Sequence, residues 1–187
     1  MKNSTLGILM LFCFNTFAQK TTDSLEIWTM FTIGNLVNAK AHEFAARGLP
    51  VKIIHKTGDV LWEVEDEDAE YKSEIEYIEA HNDSVWEQLK NRGFKNPRKS
   101  YEEQFQKERA DLEAALELFN ENPRIKRYQE VRSKDQFPNA DIKKITDGVY
   151  QIELWSLDIQ NPLDTQKKEF VAKVDINTLQ TTVVKLE

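Results

Sequence analysis

The sequence predicts an α+β protein: a helix-rich part up to about residue 122, then a helix followed by an antiparallel β-meander. Two observations carry this. Apolar residues before residue 122 recur three and four apart, as on one face of a helix, whereas from Ile142 onward they alternate with polar ones. Between the two regimes stands Pro123, which closes the helix before it.

The elements follow in order. Leu25, Trp28, Leu36, Val37, Ala41 and Phe44 recur at near-helical spacing, and Gly48 with Pro50 ends that pattern. Gly34 interrupts it, so a start near Asn35 is also compatible. Val51–His55 reads as a short strand, Lys56–Asp59 as a turn, and Val60–Val64 as a second strand. A helix from Asp68 or Ser73 to Arg92 carries Tyr71, Ile75, Ile78, Val85 and Leu89 on one face and stops at Gly93. Another is predicted from Ser100, with Glu103 placed to complete a capping box, and bears Tyr101, Phe105, Leu112, Leu116 and Phe119. Arg124–Lys134 is basic and helical. Tyr150, Ile152 and Leu154 form one strand face; Phe170, Ala172, Val174 and Ile176 form another; Leu179, Thr181 and Val183 continue the sheet. Asp147-Gly148 and Asn177-Thr178 are the turns. The sheet is expected to complete a single core with the helices.

Residues 1–18 read as a cleavable secretory signal. Lys2 supplies the positive start, Leu6–Phe14 an apolar run, and Thr16-Phe17-Ala18 the small residues read by a signal peptidase, with cleavage before Gln19. That run falls well short of the ~20 residues needed to cross a bilayer. The expectation is an exported protein, periplasmic or extracellular, with no membrane span after cleavage. Of 187 residues, removal of 18 leaves 169, enough to bury a core without staples. Cys13 is the only cysteine and leaves with the signal, so the mature chain can form no internal disulfide. The whole chain has 25 basic and 32 acidic residues, a net charge of −7. That argues against nucleic acid as a partner, because a phosphate backbone calls for a basic surface.

No phosphate-binding glycine loop, nucleophile elbow or paired-cysteine metal site is present, and no cofactor is implied. His42, His55 and His81 fall on three different elements, so no single helix offers two ligands to zinc and no metal site is expected. The acidic run Glu63–Glu70 departs from the calcium-loop template and reads as a solvated stretch favouring the start of the next helix. Two polar interruptions stand out. Asn82, with His81 beside it, falls between Ile78 and Val85 on one helical stripe; Glu108 falls between Phe105 and Leu112 on the other. If those helices pack face to face, Glu108 is expected to pair with Asn82 or His81. An unpaired buried amide or carboxylate costs about 1–3 kcal/mol or more. The preferred reading is a structural hydrogen bond that fixes helix register, or a stripe edge that simply reaches water; the functional one is a small polar pocket with His81 and Glu108 as an acid–base pair. Trp155 falls on the strand face opposite Tyr150, Ile152 and Leu154. It is expected to anchor the helices or a partner, with the helices preferred.

Glu79–Glu108, with His81-Asn82, Val85, Leu89, Arg92-Gly93, and then Tyr101, Phe105 and Glu108, resembles the C-terminal part of the FEKKY domain of small secreted bacterial proteins. The helix and the Val51–His55 strand before it fit the same plan. Members of that family carry a Gly-Cys pair after the strand, which this chain lacks. The region from Arg124 to Glu187 is similar to a PepSY-type domain, a helix followed by antiparallel strands, with Val174-Asp175-Ile176-Asn177-Thr178 matching its strand and turn. The FEKKY resemblance brings no established activity; the PepSY resemblance implies a link with the restraint of secreted peptidases. The function expected is therefore a non-enzymatic binding or accessory protein with an unknown protein or peptide partner. The alternative is a hydrolase-like enzyme using His81 and Glu108.

Overall fold

A computed structural model describes residues 24–31, 35–57, 67–131, 136–158 and 166–185. The signal segment and the strand expected at Val60–Val64 lie outside the described residues, as does the first half of the acidic run.

The N-terminal part begins with a strand, β1 (Leu25–Phe31), followed by α1 (Leu36–Ala45), a 3-10 turn (Ala46–Gly48) and β2 (Val51–Thr57). β1 and β2 pair in parallel, Ile27 opposite Ile53. The helical reading of Leu25–Trp28 is thus corrected. Within β1 the buried residues are Ile27 and Thr29, a spacing of two. The three-residue gap from Leu25 to Trp28 mimicked a helix because only these two bulky residues were counted. α1 begins where Asn35 permits: its side chain accepts from the Asn38 N–H at 3.2 Å, capping the first turn.

α2 (Glu67–Asn91) ends at Gly93, whose φ of +95° suits glycine. There the Phe94 N–H reaches the Leu89 carbonyl and the Gly93 N–H reaches that of Lys90, the paired closure of a Schellman motif. α3 (Pro97–Glu121) starts earlier than the capping box at Ser100 predicts. Pro97 has no N–H to strand and a φ already set for helix, so it takes the first turn. The Ser100 N–H is already bonded to the Asn96 carbonyl. α4 (Pro123–Val131) follows.

β3 (Gln136–Thr146), β4 (Val149–Asp158), β5 (Gln166–Asp175) and β6 (Gln180–Lys185) form an antiparallel meander in that order. The β3–β4 turn needs Gly148: its φ is +71°, and a Cβ there would lie 2.3 Å from the Asn177 amide. One sheet face, with Tyr150, Ile152, Ala172 and Val174, packs against Phe44 of α1, Leu112 and Phe119 of α3, and Ile125 of α4. Residues on both sides of Pro123 therefore share this core. A second cluster joins Ile27 of β1, Val85, Trp86 and Leu89 of α2, and Tyr101 of α3; Phe105 touches both. The architecture is α+β, with the meander and a small parallel pair. Among the described residues, no helix is long and apolar enough to cross a membrane.

Helix-borne side chains close two strand edges. On β1, Asn82 of α2 takes both polar groups of Trp28: the Trp28 N–H donates to Oδ1 at 2.9 Å, and Nδ2 donates to the Trp28 carbonyl at 2.8 Å. On β6, Arg124 donates to the Val183 carbonyl at 3.1 Å and Asn122 to that of Thr181 at 3.4 Å. Both occupy backbone groups that would otherwise invite another strand.

Candidate functional site

The site builds from Glu108. Its position on the α3 stripe carries it inward, where it is 1% exposed. The sheet answers with Lys144, which shares the inward face of β3 with Ile142 and whose side chain is 8% exposed. The Lys144 ammonium pairs with Glu108 Oε1, and Gln104 Nε2 donates to the same oxygen at 2.6 Å. The Tyr150 hydroxyl lies 3.5 Å from Oε2. Burial, then the Glu108 charge, pushes the Tyr150 hydroxyl well above its usual range. Lys144 also reaches Asp147 in the turn at 2.6 Å, and this ammonium holds the Asp147 carboxyl below its usual range.

Gln104, Glu108, Lys144 and Asp147 floor a cleft of about 490 Å³ between the end of α1, the first turns of α3 and the β3–β4 turn. Phe44, Leu49 and Tyr101 give it apolar wall, and Arg47 stands at its edge. The Arg47 guanidinium lies 4.5 Å from the Phe44 ring centre and 3.5 Å from the Lys144 carbonyl. Tyr101 also lines a second cleft of about 200 Å³ among β1, α1, α2 and α3. Between the clefts, the Tyr101 hydroxyl and His42 Nδ1 share a hydrogen bond of 2.7 Å, and the His42 ring stacks on Phe105 at 4.1 Å. Burial, reinforced by the His55 charge, lowers the His42 pKa to about 4.

The structure does not bring Glu108 to Asn82 or His81, so the expected polar seam is corrected. Asn82 serves the β1 edge. His81 Nε2 donates to the Glu26 carbonyl at 2.8 Å while its ring stacks on Trp28 at 3.5 Å. The physical reason is that a strand edge lies beside α2, and its unpaired amide and carbonyl fit the Asn82 carboxamide in a way no carboxylate can. The preference for the helices as the contact of Trp155 is corrected as well: the helices cover the opposite sheet face, and the Lys168 ammonium lies 4.5 Å from the Trp155 ring centre. The same outer face holds Glu153, whose pKa Lys168 and then Lys143 lower to about 2.

Sequence reasoning missed Lys144, Gln104, Tyr101 and His42. Lys144 had a signal: it alternates with Ile142, so it falls on the strand face that must be buried, as Glu108 does on its helix. Asn82→Asp should test the edge clip. A carboxylate still accepts from the Trp28 N–H but faces its carbonyl, so a loss of about 1–3 kcal/mol is expected in a urea melt, close to that of Asn82→Ala. Asn82→Asp as stable as the parent would mean the clip contributes nothing. No known protein family, curated protein or solved structure matches this chain.

Proposed function

We propose that this is an exported, non-enzymatic binding or accessory protein that holds a segment of a protein or peptide partner in the larger cleft. The observation that carries the reading is the state of Glu108. Its oxygens are engaged by Lys144, Gln104 and Tyr150, so the cleft floor offers a fixed polar pattern rather than a free base. A general base must reach its substrate's proton. His81, the other half of the hydrolase-like alternative, spends its Nε2 proton on the β1 backbone. Apolar wall beside a few fixed polar groups is the usual make-up of a binding site. The FEKKY resemblance fits a place outside the cytoplasm, and the PepSY resemblance fits an accessory role.

Gly48 provides the test. It lines the cleft, and a Cβ built on it meets nothing within 4 Å. Gly48→Leu should therefore fold normally and fill the space. A photo-crosslinking residue at Ser100, on the cleft wall, should yield a discrete adduct in the native host that Gly48→Leu abolishes. The same residue at exposed Lys173 should yield none. Equal labelling at both positions, or labelling indifferent to Gly48→Leu, would overturn the reading. Export has its own check: mass spectrometry of the protein from that host should find a chain beginning at Gln19, and an intact Met1 would refute it.

A further inference from the structure

The smaller cleft carries a separate inference, independent of the function proposed for the larger one although Tyr101 lines both. We propose that it receives the side chain of an arginine presented by another polypeptide. Its size is the first reason: about 200 Å³ suits one long side chain and is too little for a nucleotide. Its make-up is the second. The floor is apolar, with Ile27, Trp86 and Phe105 among its lining residues, while among the described residues Glu79, Asp83 and Glu102 stand in the lining with a single cation, Arg98. Long basic side chains bind in this way, stem along apolar surface and head among carboxylates.

Arg98 shows what those carboxylates hold. Its Nε donates to Glu102 at 2.7 Å and its Nη1 to Asp83 at 2.9 Å, so one guanidinium already bridges α2 and α3. Three carboxylates against one guanidinium leave the lining two charges negative. Glu79 feels the Arg98 charge but makes no ion pair of its own among the described residues. A second guanidinium entering beside Arg98 finds Glu79 and the remaining oxygen of Asp83 or Glu102. A planar fork suits paired carboxylates better than a compact ammonium does. Arg98 is then a built-in competitor, exposed enough to give way.

Titration with acetyl-arginine amide, followed by tryptophan emission, tests this, because Trp28 and Trp86 both line the cleft. Saturable binding is expected, with acetyl-citrulline amide, the neutral isostere, weaker by at least about tenfold. Acetyl-lysine amide should fall between them. Glu79→Gln should weaken arginine binding at least about threefold, and Arg98→Met should tighten it by a similar factor. Both residues are exposed, so unchanged melting of the variants separates site effects from folding. No saturation, an equal response to citrulline or lysine amide, or an Arg98→Met protein that binds no tighter would each overturn the proposal. None of these outcomes bears on labelling at Ser100 in the larger cleft.

Discussion

Lys144→Met should cost about 3–5 kcal/mol in a urea melt at pH 7, the range for breaking a buried ion pair by removing one partner. The change leaves a carboxylate that is 1% exposed, with only Gln104 and a distant Tyr150 among the described residues to satisfy it. A domain with about 5–15 kcal/mol of total stability would lose much of it. Glu108→Ala should cost less, because the ammonium it strands still has Asp147 at 2.6 Å. That asymmetry identifies the mechanism. The double change Glu108→Leu with Lys144→Met should recover part of the loss, since two apolar side chains need no partners. A Lys144→Met protein as stable as its parent would mean that water reaches Glu108.

Acidification from pH 7 to pH 5 should remove about 2 kcal/mol of stability through His42 alone. Its pKa is about 4 in the folded protein against 6.5 for the ordinary imidazole. Between those values the unfolded chain takes up a proton that the folded one refuses, so stability falls as pH falls. Above pH 6.5 both states are neutral and the term vanishes. Glu153 works in a lower window: with its pKa lowered to about 2, its contribution holds above pH 4.5 and is lost only below that. Measurements between pH 7 and 5 therefore separate His42 from Glu153. His42→Gln, which can still hydrogen bond to Tyr101, should flatten this interval. A variant as acid-sensitive as the parent would place the effect elsewhere.

Much of the fold was legible because it rests on periodicity. The alternation at Tyr150, Ile152 and Leu154 gave β4, and the Ile78–Val85–Leu89 stripe gave α2, in each case because burial selects one face of a regular element. β1 was misread because Leu25 and Trp28, three apart, were counted while Ile27 and Thr29, the alternating pair actually buried, were not. Glu108 and Asn82 were correctly singled out as polar groups on apolar faces. Their partners could not be found by the same route. A stripe says that a residue turns inward, but not which distant element meets it. The choice between α2 and β3 as the neighbour of Glu108 is made by tertiary packing. Tyr101 and His42 were missed for a simpler reason: an aromatic on a stripe and a lone histidine look like ordinary core until their hydroxyl and ring nitrogen are found facing each other.

The grip of Asn82 on Trp28 has a consequence for how the molecule opens. In a pair of strands, an outward amide normally trades its hydrogen with solvent almost freely. The Trp28 amide can do so only when α2 moves away, because the group that holds it belongs to that helix. Its exchange lifetime should therefore follow the undocking of α2 as a cooperative unit rather than the fraying of β1. In a hydrogen–deuterium experiment the Trp28 amide should share the slow rate of the buried face of α2, at Val85 and Leu89. In the Asn82→Ala protein it should join the fast population while Leu89 stays protected. A single backbone hydrogen would then time the rarest excursions of a helix 25 residues long.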